Sequence, residues 1–274
     1  NLMPELPEVE ITKQGIEPFL TGQTIEKIVL RNLQLRWPIP RKLRTILPGL
    51  KIASIARRAK YILIDCSTGW LIIHLGMSGS LRVLSSSNEA PAKHDHYDLH
   101  VSDNTIIRYR DPRKFGALIW TTINPNNHRL ISHLGPEPLD DEFNRDFLYQ
   151  KLRTKSSSIK LQIMNNQVVT GVGNIYANES LFHAGIRPTR RANEVSRPKL
   201  ERLIAAIKKT LKRAIQAGGS SLQDFYLTDG STGYFQQEYM VYGREGESCH
   251  KCETTIKSIT LGQRSSFYCP KCQK

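Results

Sequence analysis

The 274-residue sequence has no run of eighteen apolar residues and no basic amphipathic stretch with an aromatic face, which excludes a membrane-spanning helix and demotes membrane-surface binding. It lacks a charged segment followed by an apolar one at its start, so no secretory leader is expected and a cytosolic, reducing setting is. No internal repeat or low-complexity tract is visible, which argues against a solenoid. Cysteine is scarce. The five present are odd in number, and four crowd into the last 26 residues, a pattern unlike a disulfide framework. Acid is short as well: 25 Asp and Glu face 39 Lys and Arg, giving a formal charge of +14. A surface field of that sign attracts polyanions, and nucleic acid is the leading partner.

The length suits two domains, each with its own core. Eight short runs from about Thr24 to Trp120, among them "TIEKIVL", "KYILIDC", "GWLIIHL" and "NTIIRYR", are rich in Val, Ile, Leu, Tyr and Trp and punctuated by turn residues. They predict a β-sandwich. The stretch "INPNNHRLISHLGPEPLDDEF" loses that rhythm in Pro, Asn and Gly and marks a boundary. Beyond it "RDFLYQKLRT", "GNIYANESLFHAG" and "SRPKLERLIAAIKKTLKRAIQAGG" place apolar residues at helical spacing, the last ending on Gly218-Gly219.

Cys249 and Cys252 are separated by sixteen residues from Cys269 and Cys272, a spacing that fits a four-thiolate zinc site. Four sulfur ligands leave no open position for water, so one structural Zn2+ is expected. The residues between the pairs read as two strands around a Gly-Gln-Arg-Ser turn, lifting Arg264 to the tip of a hairpin. On so basic a chain, a rigidly presented Arg suits a phosphate or groove contact. Cys66, alone in an apolar run, reads as a buried thiol.

The start, "NLMPELPEVE", holds two prolines and three carboxylates. Pro7 suits the first position of a helix whose first turn Glu8 and Glu10 complement in charge. Pro4 and Glu5 are not explained that way. A proline that begins a chain is a secondary amine; an α-amino group has a pKa of roughly 7.7 to 8.0, so part of it is neutral near neutrality. Such an amine condenses with an aldehyde carbon to an iminium, and a neighbouring carboxylate can move the protons.

Taken together, "PELPEVE", "RRAKY", "IIHLGMSGSL", "KHDHYDL", "DPRKFG", "HLGPEPL", "TGVGNIYANESLF", "GYFQQE" and the cysteine quartet make the chain resemble the bacterial formamidopyrimidine-DNA glycosylase family from Pro4 to Lys274. The resemblance implies an α+β multidomain fold: an N-terminal β-sandwich at 4–130, a linker at 131–147, a helix-two-turns-helix domain with a lesion-capping loop at 148–240, and a zinc finger at 241–274. It implies a bifunctional glycosylase and abasic-site lyase of base excision repair that removes oxidised purines, 8-oxoguanine and formamidopyrimidines, and then performs β,δ-elimination. The partner would be double-stranded DNA with oxidised bases or abasic sites, and the protein a monomer in the bacterial cytoplasm, associated with the nucleoid through DNA.

By the same resemblance Pro4 is the Schiff-base nucleophile and Glu5 its acid-base partner, with Glu8 as a supporting carboxylate. Lys60 donates the proton of β-elimination and Arg264 that of δ-elimination. Met77, Arg113 and Phe115 would fill the gap left when the damaged nucleotide leaves the stack. His94, Arg113, Lys155 and Asn174 would hold phosphates, Asn174 from a helix start favourable to anions. Read from the residues alone, Lys60 belongs to a basic cluster ahead of a strand, Met77 and Phe115 to the core, and His74 to a satisfied core histidine. His94, His96 and Asp98 alternate on a strand and offer a second, weaker metal arrangement.

Two alternatives stand beside this reading. An endonuclease VIII type would favour oxidised pyrimidines, but its start reads Pro-Glu-Gly-Pro-Glu, and Leu6, Arg113, Phe115 and the long loop at 227–238 favour the purine class. A catalytically blocked damage-binding protein would follow if Asn1, Leu2 and Met3 were retained, because any residue ahead of Pro4 turns its amine into an amide.

Overall fold

The computed structural model describes residues 4–85, 89–219, 228–229 and 239–274. The chain divides into two compact units, Asn1–Ser132 with Ala217–Gln236, and His133–Gln216 with Gln237–Lys274.

The first unit is the β-sandwich. Helix α1 (Leu6–Leu20) leads into β1 (Ile25–Leu30), the one-turn α2 (Leu43–Ile46), then β2 (Ser54–Arg58), β3 (Tyr61–Asp65), β4 (Trp70–His74), β5 (Ser80–Leu84), β6 (Asp95–Val101), β7 (Ile106–Arg110) and β8 (Ala117–Thr121). Every one of the eight apolar runs forms a strand. They pair into two antiparallel sheets, ordered β1-β6-β7-β5 and β2-β3-β4-β8. One apolar core draws Ile28, Leu99 and Ile107 from the first sheet and Ile55, Ile62 and Leu71 from the second, with Val9, Ile16 and Leu20 of α1. Apolar area removed from water on this scale is the main stabilising term, about 25 cal/mol per Å². Cys66 is fully buried in this core, and burial pushes its thiol up to about 12, which leaves it unreactive near neutral pH.

The second unit holds α3 (Arg145–Leu152), α4 (Ile159–Ile163), α5 (Asn174–Ala184), α6 (Arg197–Gln216) and a hairpin of β9 (Lys257–Leu261) and β10 (Arg264–Tyr268). Asn144 and Ser158 cap α3 and α4 by accepting N–H groups of Phe147 and Leu161. Helix α6 buries Leu200, Leu203, Ile204, Ile207, Leu211 and Ala214, a single stripe, against α5. Helix α5 buries nearly all of its residues, polar Asn178, Glu179 and Ser180 included. It stops at Gly185, whose φ of +70° suits glycine in the left-handed region. Among the described residues no helix is long and apolar enough to cross a membrane.

Candidate active site and metal centre

In the sandwich unit, α1 begins one residue after Glu5, its N-cap, so Pro4 and Glu5 sit at the mouth of the helix. Pro7 occupies the second helical position, where its missing N–H costs nothing. The fully buried Glu8 accepts the backbone N–H of Glu5 at 2.9 Å, and Thr12 Oγ1 donates to the Glu8 carbonyl at 2.9 Å. Glu5 itself is only 3% exposed. Gly219 lies against this turn, since a Cβ there would stand 3.1 Å from Ile11 Cδ1 and 3.6 Å from Glu8 Cγ.

Lys60 lies in the two-residue turn between β2 and β3, beside Ala59. Ala59 carries a φ of +53°, which costs a non-glycine residue on the order of 1 kcal/mol. Arg57 ties that turn to α1: its Nε donates to Glu10 Oε2 at 2.6 Å and its Nη1 to the Ala59 carbonyl at 2.9 Å. Helix start and lysine turn are thereby joined. His74, at the end of the neighbouring β4, accepts the Gly76 N–H on Nδ1 at 3.0 Å. Burial, then the Lys60 and Arg36 charges, lower its pKa to about 4, so the ring is neutral and its proton sits on Nε2. The sequence suggests a satisfied core histidine; His74 is instead half-buried at the strand end, with Nδ1 satisfied by Gly76.

Met77, Arg113 and Phe115 occupy two loops, 75–79 after β4 and 111–116 after β7. Phe115 is 46% exposed, and the Arg113 guanidinium lies 5.2 Å over its ring. An exposed aromatic stacked under a cation is a poor core residue and a good wedge. The core reading of Phe115 is therefore corrected, and Met77 is half-buried. His94 lies in the turn just before β6. The alternating trio does not form a metal arrangement: His96 Nε2 faces the Asp111 carbonyl at 2.7 Å, while Asp98 is clasped by Arg31 and Arg108. Burial raises the Asp98 pKa, but the two guanidiniums outweigh it and hold the carboxyl below its usual range.

In the helical unit Asn174 is the first residue of α5, after Gly173, as expected. Its side chain is already engaged, donating from Nδ2 to the Ser265 carbonyl at 3.1 Å and accepting from Lys160 Nζ at 2.6 Å. Lys160 was not singled out in the sequence, where it resembles any solvated lysine of a short helix. It is fully buried, and also donates to the Ser265 carbonyl at 3.0 Å and Ser266 Oγ at 2.6 Å. Its ammonium thus welds α4, α5 and β10 together. Lys155 lies exposed in the loop between α3 and α4. Arg264 is the first residue of β10 and not part of the turn, which is Gly262-Gln263. Both turn residues have positive φ, +53° and +61°, as a tight hairpin requires, and Arg264 stands exposed beside it.

The four sulfurs of Cys249, Cys252, Cys269 and Cys272 all lie within 4.8 Å of one another. Cys249 and Cys272 are 3.9 Å apart, Cys252 and Cys269 3.5 Å. A tetrahedral zinc with bonds near 2.3 Å needs edges of about 3.8 Å, so the donor set fits that metal. Cys249 and Cys269 pack with Phe182, Val241 and Ile256 in a small core of their own. Glu179 joins it to α5 by accepting the N–H groups of Met240, Val241 and Tyr242 at 2.9–3.0 Å; burial raises its pKa against the pull of those three donors. The capping loop expected at 227–238 lies outside the described residues except for Thr228 and Asp229. The Thr228 carbonyl accepts the Val83 N–H at 2.7 Å. Asn1 to Met3 also lie outside them.

The Pro-Glu helix start beside the strained lysine turn, the helical unit and the four-cysteine cluster are matched, part by part, in DNA glycosylases of base excision repair, and that is the class of this protein. Family models agree: the formamidopyrimidine-DNA glycosylase N-terminal domain matches residues 3–118, the H2TH domain of the same enzymes 134–226, and the zinc finger found in FPG and IleRS 246–274. The chain belongs to the formamidopyrimidine-DNA glycosylase family. It is 52% identical to the formamidopyrimidine-DNA glycosylase of Methylobacillus flagellatus, over 99% of this chain and 97% of that one. The enzyme of Neisseria meningitidis is also 52% identical, over 99% of this chain and all of its own. Among solved structures, Lactococcus lactis Fpg with DNA containing an abasic site superposes with a TM-score of 0.89 at 32% identity, covering 99% of this chain and 100% of that one. MutM in complex with DNA containing carbocyclic 8-oxo-G gives 0.88 at 35%, with the same coverage.

Proposed function

We propose that this chain excises oxidised purines from duplex DNA and then cleaves the abasic site, with Pro4 as nucleophile. The observation that carries the reading is the seat of Glu5: it directly follows Pro4, its N–H is fixed by Glu8, and the same helix holds the Lys60 turn through Glu10 and Arg57.

With Pro4 as the first residue, its nitrogen lone pair attacks C1′ of the damaged nucleotide. The glycosidic bond breaks, its electrons leave on the base, and the base takes up a proton. Glu5 protonates the ring oxygen as the sugar opens to the iminium. Loss of a C2′ proton expels the 3′ phosphate, with Lys60 as proton donor. Loss of the C4′ proton, made acidic by the conjugated iminium, then expels the 5′ phosphate, with Arg264 as proton donor to the leaving oxygen. Met77, Arg113 and Phe115 fill the vacated stack at a cost in unstacking of a few kcal/mol. His94, Arg113, Lys155 and the Asn174 helix start hold phosphates, whose contacts carry much of the affinity.

The four cysteines would hold one structural zinc. When bound, the metal supplies folding free energy to the finger and no reaction chemistry. The cysteine module then sets where Arg264 stands.

The test is borohydride trapping with protein shown by mass to begin at Pro4, on duplexes carrying 8-oxoguanine opposite cytosine or thymine glycol. A covalent adduct at Pro4 and preference for 8-oxoguanine are expected. Binding without an adduct would overturn the proline mechanism, and preference for thymine glycol would move the chain to the pyrimidine class.

A further inference from the structure

We propose that Asp111 is a positioning residue that locks the two wedge loops and the His94 turn into one rigid plate, so that all three meet DNA together. The proposal rests on the reading of Met77, Arg113 and Phe115 as wedges.

Asp111 is fully buried, although it lies two residues from exposed Arg113. Its Oδ1 accepts the Ser78 hydroxyl at 2.6 Å, and Ser78 Oγ in turn accepts the Arg113 backbone N–H at 3.0 Å. One hydroxyl thus bridges the residue after Met77 to the backbone of the other loop. Oδ2 accepts the Gly116 N–H at 2.8 Å and the Tyr109 hydroxyl at 3.1 Å, which closes the second loop on itself. The backbone of Asp111 extends the lock: its N–H donates to the His94 carbonyl at 3.0 Å, and its carbonyl faces His96 Nε2. A buried carboxylate with this many donors is stable only while they stay in place.

Packing closes the same seam. A Cβ on Gly76 would strike the backbone of Phe115, 2.5 Å from Gly116 N, and one on Gly79 would stand 2.6 Å from the Tyr109 hydroxyl. The loops therefore touch backbone to backbone, without side chains to give way. Gly76 has φ +67°, and Lys114, not a glycine, is held at +59°, a conformation that persists where its surroundings over-determine it. The backbones that carry Met77, Arg113 and Phe115 are thereby tied to one another. Insertion of the wedge is one event.

The lock matters only where there is a stack to fill, and that separates it from general structural support. We would compare wild type, Ser78→Ala, Tyr109→Phe and Met77→Ala, all beginning at Pro4. The readouts are single-turnover excision of 8-oxoguanine from duplex, fluorescence of 2-aminopurine beside the lesion, and lyase activity on a single-stranded abasic oligonucleotide. Losing a hydrogen bond to a buried charge should slow duplex excision by Ser78→Ala about tenfold or more. Tyr109→Phe should slow it less. Both should reduce the 2-aminopurine signal and leave single-strand lyase activity at the wild-type rate. Wild-type duplex kinetics and fluorescence in Ser78→Ala, with Met77→Ala slow, would overturn the positioning role and leave the wedge reading standing. An equal loss on single-stranded and duplex DNA would also overturn it. Wild-type behaviour of Met77→Ala would overturn the wedge reading, and this role with it.

Discussion

The Glu8 carboxylate holds the backbone N–H of Glu5 at 2.9 Å, inside a turn from which water is excluded. Helix capping and the placing of a reactive terminus are here one interaction. Glu8→Ala should remove a cap of about 1 kcal/mol and loosen Glu5 together with Pro4. The expected outcome is a melting temperature lower by about 2–4 °C and a larger proportional loss in the rate of borohydride trapping than in DNA affinity. Calorimetry, trapping kinetics and filter binding check the three quantities separately.

Pro4 reacts only as a secondary amine. Two preparations differing solely in whether residues 1–3 precede Pro4 should bind abasic DNA alike, while only the shorter forms a trapped adduct. Mass analysis of the adduct decides the matter, and a robust adduct on a chain that still begins at Asn1 would refute the mechanism.

His74 gives stability a pH dependence. An unfolded imidazole titrates near about 6.5, whereas the folded ring, half-buried and close to Lys60 and Arg36, titrates at about 4. Between these values the unfolded chain binds a proton that the folded chain refuses. Its contribution is therefore full above about 6.5 and lost as pH falls toward 4. Asp98 adds a separate loss at lower pH, because its depressed folded pKa makes its contribution fade below the ordinary carboxylate range. Urea titrations from pH 7 to 4 should show the first slope, and His74→Gln should flatten it.

Lys160 holds Asn174, Ser265 and Ser266 with one ammonium. Replacing it by Met keeps much of the volume but leaves buried acceptors without that donor, a change worth on the order of 1–3 kcal/mol. The protein should fold, melt lower, and bind DNA with a shallower salt dependence as the Asn174 and Arg264 contacts loosen. Affinity measured at several salt concentrations gives the slope.

Removing metal with a chelator should unfold the cysteine module while the sandwich keeps its β-sheet signal. If Arg264 acts in the second elimination, products should shift from the β,δ to the β form, and Arg264→Ala should give the same shift with the finger intact. Gel analysis of the cleaved ends distinguishes the two products.

The strands were legible because each is a short apolar run closed by turn residues, a local pattern that needs no partner to be recognised. The cysteine spacing was legible for the same reason. Asp111, Lys160 and Glu179 were not, since each looks like a surface residue until a partner distant in sequence buries it: Ser78 for Asp111, Ser266 for Lys160, Met240 for Glu179. Arg264 was misplaced by one position because only strand pairing fixes where a two-residue turn begins. By residue type alone Phe115 looks inward, and its 46% exposure on the loop after β7 is not visible in the local apolar pattern.

The first unit is discontinuous in sequence, taking Ala217–Gln236 back after the helices of the second. No single cut in the gene separates the units. A fragment ending at 132 would encode eight strands without that segment, and one beginning at 133 would carry it with no sandwich to join. Shuffling these parts between relatives therefore demands three matched crossovers, so the sandwich and the returning residues, described at 217–219 and 228–229, are expected to be inherited as a pair.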